Sequence, residues 1–243
     1  MIKRKAIIIG NSGGYRNLDF LSGVSVDLEN YHNFLTSKAG GEWHPNEISI
    51  LKDPTSSDVI KAIQESESDY TFIVFSGQGF ISTYNVEDYV CLKDVDLSIG
   101  KLVSPSKKQT IVIDACREFH PHKPDFLMEE KYSNFSGDEE RSTRALFDEA
   151  IIKTPEGIIL VFSTQSNGTS GDNEFLGGVF SYSFIKAGER WWEDEKTKGV
   201  LTLNVAVEKS KLIIKETFIT NQTPEMAGQI RRLTFPPFAI SKH

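Results

Sequence analysis

The chain alternates short, densely apolar runs with stretches whose apolar residues recur every three or four positions. The run Lys5–Ile9 ends at Gly10 and suits a strand buried on both faces. Val24, Leu28, Tyr31, Phe34 and Leu35 then fall at helical spacing, with Asp27 in the first turn. Glu47–Leu51 reads as a second strand. Thr55 followed by Asp58 is a capping-box pattern opening a helix, with Val59, Ile60 and Ile63 as its buried stripe. A third strand, Tyr70–Ser76, runs into Gly77-Gln78-Gly79. Tyr89–Leu92 is a short strand, half of a hairpin, and Thr110–Asp114 is the fourth main strand, ending at Ala115-Cys116.

Residues 118–143 are polar and charged, contain Pro121 and Pro124, and keep no period. That length exceeds a plain connector and predicts a functional or mobile loop. Beyond it, Gly157–Ser163 is a fifth strand, and Val179, Phe180, Ser183, Phe184 and Ala187 mark a helix. Thr202 begins another, with Leu203, Ala206, Val207, Ser210, Ile213 and Ile214 along one face. Gln222-Thr223-Pro224 is a turn and Phe238–Ile240 a closing strand. Strand–helix alternation predicts an α/β fold with a mostly parallel central sheet and helices on both faces. Without a Gly/Ser-rich linker or an internal repeat, residues 1–243 are expected to form one domain.

Charge narrows the partners. The formal net charge is −7, and no basic block or basic-aromatic stripe occurs, which argues against nucleic acid and favours basic peptides. The apolar run near the N-terminus is too short for a signal-peptide core, and no stretch approaches the ~20 apolar residues of a membrane span. Two cysteines, Cys91 and Cys116, cannot build a disulfide framework, so reduced thiols and a cytoplasmic location are expected.

Functional groups in open α/β sheets gather beyond the carboxyl ends of the strands, where the backbone leaves the sheet. Two such ends stand out, Ser76-Gly77-Gln78-Gly79 and Asp114-Ala115-Cys116-Arg117. The segment IVFSGQGF resembles the hydrophobic strand and Ser-Gly-His-Gly motif of metacaspases, with Gln78 at the histidine position. TIVIDACRE resembles the strand and Asp-Ala/Ser-Cys nucleophile motif. The stretch between Gln78 and Cys116 is shorter than the roughly 50 residues of caspases, which implies a trimmed connection. PTSSDVIKAI, GIILVFSTQSNGTSGD, GGVFSYSFIKA, QTPEM and the Phe-Pro-Pro-Phe end are similar, in order, to further segments of the family.

The chain is thus identified as resembling the caspase and metacaspase cysteine peptidases over most of its length. The resemblance implies a caspase-like sandwich, large-subunit-like over 1–117 and small-subunit-like over 144–243, with the loop 118–143 between them. In such enzymes a thiolate attacks a peptide carbonyl and a histidine takes and returns the proton. The resemblance places Cys116 as nucleophile and the backbone N–H groups of Gly79 and Cys116 as oxyanion donors. Gln78 breaks the pattern, because an amide neither accepts a proton at neutral pH nor returns one. An unassisted thiol near pKa 8.5 is only about 3% thiolate at pH 7. Loss of the base costs up to roughly 10⁶-fold in the serine-protease template. Three explanations stand: a natural pseudopeptidase, an engineered trap, or another imidazole, with His120 and His122 nearest in sequence.

By the same resemblance Asp27, Ser76 and Asp114 form an acidic pocket selecting Arg or Lys before the cut. Val24 departs from the family's cysteine in the segment carrying Asp27, and true caspases have Gln at the position of Asp114. Two convergent carboxylates would hold a guanidinium or ammonium on physical grounds alone. The competing expectation is that Asp27 favours a helix N-terminus and that Asp114 pairs with Arg117. Family members are often cut in the loop after the nucleophile strand, and here Lys123, Lys131 and Arg141, with Arg144 just beyond, are either processing positions or, the preferred reading, ordinary solvated charges. No cofactor is expected; calcium enters by resemblance only, since Asp138, Glu139 and Glu140 lack a ligand spacing. A peptide or protein is the expected partner, and an activating protein is a second candidate partner. Two other functions compete: a non-catalytic module holding a basic peptide in the same cleft, and a nucleotide-binding domain using Gly10-Asn11-Ser12-Gly13-Gly14. That last loop lacks both the Walker lysine and the G-x-G-x-x-G spacing.

Overall fold

The computed structural model describes residues 2–120, 142–228 and 234–242. The first part holds β1 (Arg4–Asn11), α1 (Val24–Thr36), β2 (Ile48–Lys52), α2 (Ser56–Gln64), β3 (Tyr70–Gly77), β4 (Gly79–Ser82), β5 (Asp88–Cys91), β6 (Asp96–Ser98), β7 (Lys108–Asp114) and β8 (Phe119–His120). The rest holds α3 (Thr143–Lys153), β9 (Gly157–Phe162), β10 (Asp172–Asn173), β11 (Gly177–Gly178), α4 (Val179–Glu193), β12 (Val200–Thr202), α5 (Leu203–Thr217), β13 (Glu225–Gly228) and β14 (Pro237–Ile240).

A six-stranded sheet in the order β13-β9-β7-β3-β1-β2 forms the centre. All its pairings are parallel except β13 with β9. The middles of the inner strands are apolar because both sides of the sheet are covered, with polar residues at their ends. Ala6, Ile8, Val74 and Val112 pack on one side against α1, α3, α4 and α5. Ile7, Ile9, Ile73, Phe75, Ile111 and Ile113 pack on the other against Val59 and Ile63 of α2. That second layer is completed less by helix than by a small sheet, order β6-β5-β4-β8, whose Val90 and Leu97 enter the same core. Helices on both faces therefore hold, but unequally.

The capping box of α2 forms as expected: Thr55 Oγ1 accepts from Asp58 N, and Asp58 accepts from Thr55 N. At the borders of the loop expected over 118–143, β8 pairs with β4 and Ser142 caps α3, while residues 121–141 lie outside the described residues. Helix α3 was not anticipated because two of its four buried positions, Arg144 and Asp148, are charged and interrupt the apolar stripe. The expected closing strand forms as β14 and pairs with β12 outside the main sheet, its Phe238 stacked on Phe184 and tilted against Phe34.

Candidate active site

Parallel register decides which side chains meet. Ser76 of β3 pairs with Asp114 of β7, and Gly10 of β1 pairs with Ser76. The turns following β3 and β7 therefore leave the sheet side by side, one carrying Gln78 and the other Cys116. A Cβ on Gly79 would lie 2.7 Å from the Tyr89 carbonyl oxygen, 2.9 Å from Ala115 Cβ and 3.2 Å from the Cys116 carbonyl oxygen. Only glycine lets the start of β4 close on the Ala115-Cys116 turn this tightly.

Cys116 is half-buried and not sealed in the core. Its Sγ accepts from Ser170 N at 3.3 Å and faces the Ser170 carbonyl oxygen at 3.8 Å. Burial pushes its thiol pKa up, the Ser170 N–H opposes this, and Glu118 and Asp114 add to the rise. Cys91 is buried and its pKa is pushed up to about 12 by burial and by Asp96, as befits an inert core thiol.

Gln78 Nε2 donates to the backbone carbonyl of Asp19 at 2.7 Å. Asp19 lies in the loop after β1, which turns at Gly13 and Gly14 with φ of 73° and 78°. The backbone of Gln78 is held as well, its carbonyl accepting from Cys91 N at 2.9 Å. Both ends of the residue are fixed. His120, weighed as a substitute base, lies on β8 with its ring edge-on to Phe80 at 5.7 Å. His122, Lys123, Lys131, Asp138, Glu139, Glu140 and Arg141 lie outside the described residues.

Asp27, Ser76 and Asp114 come together beneath the β10–β11 hairpin. Asp27 accepts from Ser76 Oγ at 2.5 Å and from Gly178 N at 2.8 Å. Asp114 accepts from Ser170 Oγ at 2.6 Å and from Ser181 N and Oγ at 2.9 and 2.6 Å. The two carboxylates are close: a Cβ on Gly178 would sit 2.5 Å from Asp114 Oδ2 and 3.1 Å from Asp27 Oδ2. Both are almost wholly buried, at 1% and 4% exposure. Burial raises both pKa values, and for Asp27 the nearby Asp114 raises it further.

The expected Asp114–Arg117 pair does not form. Arg117 turns the other way, forking onto Asp88 at 2.6 and 3.0 Å, pairing with Glu225, and lying over the Phe162 ring at 3.8 Å. The helix-terminus account of Asp27 is also incomplete: it lies in the first turn of α1, but its oxygens are taken by Ser76 and Gly178. Arg144 is no solvated processing position, being buried on Glu47 at the far end of α1 and β2.

Sequence reasoning did not single out Asp19, Ser170, Gly177, Gly178, Ser181 or Gln222. Four of these six lie in the Ser/Gly-rich run after β9 and the Gly-Gly-Val-Phe-Ser segment opening α4, which carried a resemblance but no assigned side chain. Among the described residues, no group of three or more His, Cys, Asp or Glu side chains could hold a metal ion. No described helix is long and apolar enough to cross a membrane.

Comparison with known proteins places this geometry in context. The family model described as Caspase domain matches residues 3–235. Caspase-1 from Spodoptera frugiperda superposes with a TM-score of 0.63 at 15% sequence identity, covering 95% of this chain and 88% of that one. At that identity the likeness speaks for the fold. A search of curated proteins returned no match. With that family model spanning nearly the whole chain, the protein belongs to the caspase domain family of cysteine peptidases.

Proposed function

We propose that the chain is a single caspase-like peptidase domain whose cleft receives a peptide with Arg or Lys before the cut, and whose proteolysis is strongly impaired by Gln78. Cys116 is the nucleophile position, and the N–H groups of Gly79 and Cys116 are the oxyanion donors. Asp27, Ser76 and Asp114 are the specificity determinants. The observation carrying this reading is the meeting of a half-exposed thiol with two convergent carboxylates that have no cationic side chain among their hydrogen-bond partners in the described residues. Such a pair favours a guanidinium or ammonium brought in by a substrate.

A second reading, a non-catalytic module holding a basic peptide or partner, is favoured by the environment of the cleft: burial raises the pKa of the Cys116 thiol, and the side chain in the base position is a hydrogen-bonded amide. One experiment separates the two. Gln78→His is assayed on fluorogenic peptides ending in Arg, Lys or Asp, with and without calcium, alongside Gln78→His/Cys116→Ala. Cleavage after Arg or Lys that disappears with Cys116 supports the peptidase. A folded, inactive Gln78→His protein that still binds an Arg peptide supports the module.

A further inference from the structure

The sulfur and the acid pair are joined by one residue. Ser170 donates its backbone N–H to Cys116 Sγ at 3.3 Å, and its hydroxyl donates to Asp114 Oδ1 at 2.6 Å. That hydroxyl accepts from Gln222 Nε2 at 3.0 Å, and Gln222 Nε2 also donates to the Ser163 carbonyl at 3.0 Å. Gln222 Oε1 accepts from Gly171 N at 3.0 Å, so both neighbours in the 170–171 backbone are pinned. Gln222 is itself buried, at 7% exposure, although it stands in a turn.

We infer that Ser170 is a positioning residue that couples the Asp27/Asp114 pocket to the Cys116 thiol. The hydroxyl anchors the residue on Asp114 and Gln222, and the anchored backbone keeps its N–H aimed at the sulfur. A backbone N–H on a thiolate stabilises the charged form, and does so more when it cannot swing away. Among the described residues, the other groups whose charge acts on Cys116 are Glu118, Asp114 and Cys91, none of them cationic. Ser170 N–H is the stabilising contact among the interactions that shift this thiol. The inference rests on the reading of Cys116 and Asp114 as parts of one cleft.

Its test needs neither a base nor a peptide. Alkylation of Cys116 by iodoacetamide is followed from pH 6 to 10 by peptide mass spectrometry, which separates it from Cys91. Ser170→Ala is expected to move the midpoint of the rate profile upward by about half a pH unit, slowing alkylation about threefold at pH 7.5. Ser170→Thr, which keeps the hydroxyl, is expected to restore the original midpoint. Gln222→Met, removing the donor to Ser170 Oγ, should shift it in the same direction and gives an independent arm if Ser170→Ala misfolds. Profiles for Ser170→Ala and Gln222→Met that superpose on the parent overturn the coupling. That result leaves the peptidase reading standing, because cleavage by Gln78→His is measured separately; loss of that cleavage would conversely leave the alkylation shift intact.

Discussion

Single atoms decide what this cleft can do. Gln78 spends its Nε2 hydrogen bond on the Asp19 carbonyl. An imidazole placed there would have a ring N–H held by the same acceptor, leaving the other nitrogen free to take a proton. Restoring His at 78 should therefore raise peptide turnover by several orders of magnitude, read as initial rates on an Arg substrate. In that active background Asp114→Ala should abolish the preference for Arg over uncharged residues; an unchanged kcat/KM ratio between substrates would refute the acidic pocket. Gly178 illustrates space rather than conformation. Its φ of −59° suits any residue, but a Cβ would press within 2.5 Å of Asp114 Oδ2. Gly178→Ala should destabilise the fold by about 1–3 kcal/mol in a denaturant titration. Gly177, at φ +88° and with a Cβ there falling 2.1 Å from Asp27 Oδ1, is constrained on both counts.

Elements are held around the cleft by charged side chains in the interior. Arg117 follows the nucleophile position and ties β5, through Asp88, to the edge strand β13, through Glu225. Removing it leaves Asp88 without its partner, while Glu225, 41% exposed at its side chain, can turn to water. Arg117→Ala should cost about 2–4 kcal/mol, measured as a fall in the denaturation midpoint, whereas Glu225→Ala should cost well under half of that. Helix α3 shows the same principle. Glu42 accepts from the backbone N of Arg144 at 3.1 Å and from Thr143 Oγ1, while Arg144 forks onto Glu47 at 2.8 and 2.6 Å. A segment entering on charge rather than on an apolar stripe is hard to recognise by periodicity, and α3 is the helix that periodicity missed.

Across the molecule, one pole of the sheet collects the strand tips and the other buries Arg4 against Trp43, Phe147 and Asp148. The raised pKa values of Asp27 and Asp114 have a consequence for stability. An acid whose folded pKa is raised binds its proton more tightly when folded, so its contribution is complete below the unfolded value near about 4 and is lost as pH rises through the folded value. Stability at pH 8 is thus reduced by two buried carboxylates seeking protons. Asp27→Asn, which keeps an acceptor for Gly178 N and supplies a donor to Ser76, should raise Tm at pH 8 relative to the parent and narrow the gap at pH 5. Each kcal/mol would register as about 2–4 °C by calorimetry. A parent and variant differing equally at both pH values would show that the pair is not strained by charge.

The amino-acid sequence by itself determined the order of the parallel strands β1, β2, β3, β7 and β9 and of the helices α1, α2, α4 and α5, the capping box at Thr55, and the two tips at Gln78 and Cys116. Those features rest on local periodicity and on glycine punctuation, which burial on both faces of a parallel sheet writes directly into the chain. Tertiary structure alone decided that Asp114 would turn to Ser170 and Ser181 and Arg117 to Asp88, that Asp19 would hold Gln78, and that β14 would leave the main sheet. These partners lie tens of residues apart or more, and strand register, not neighbouring sequence, brings them within hydrogen-bond reach.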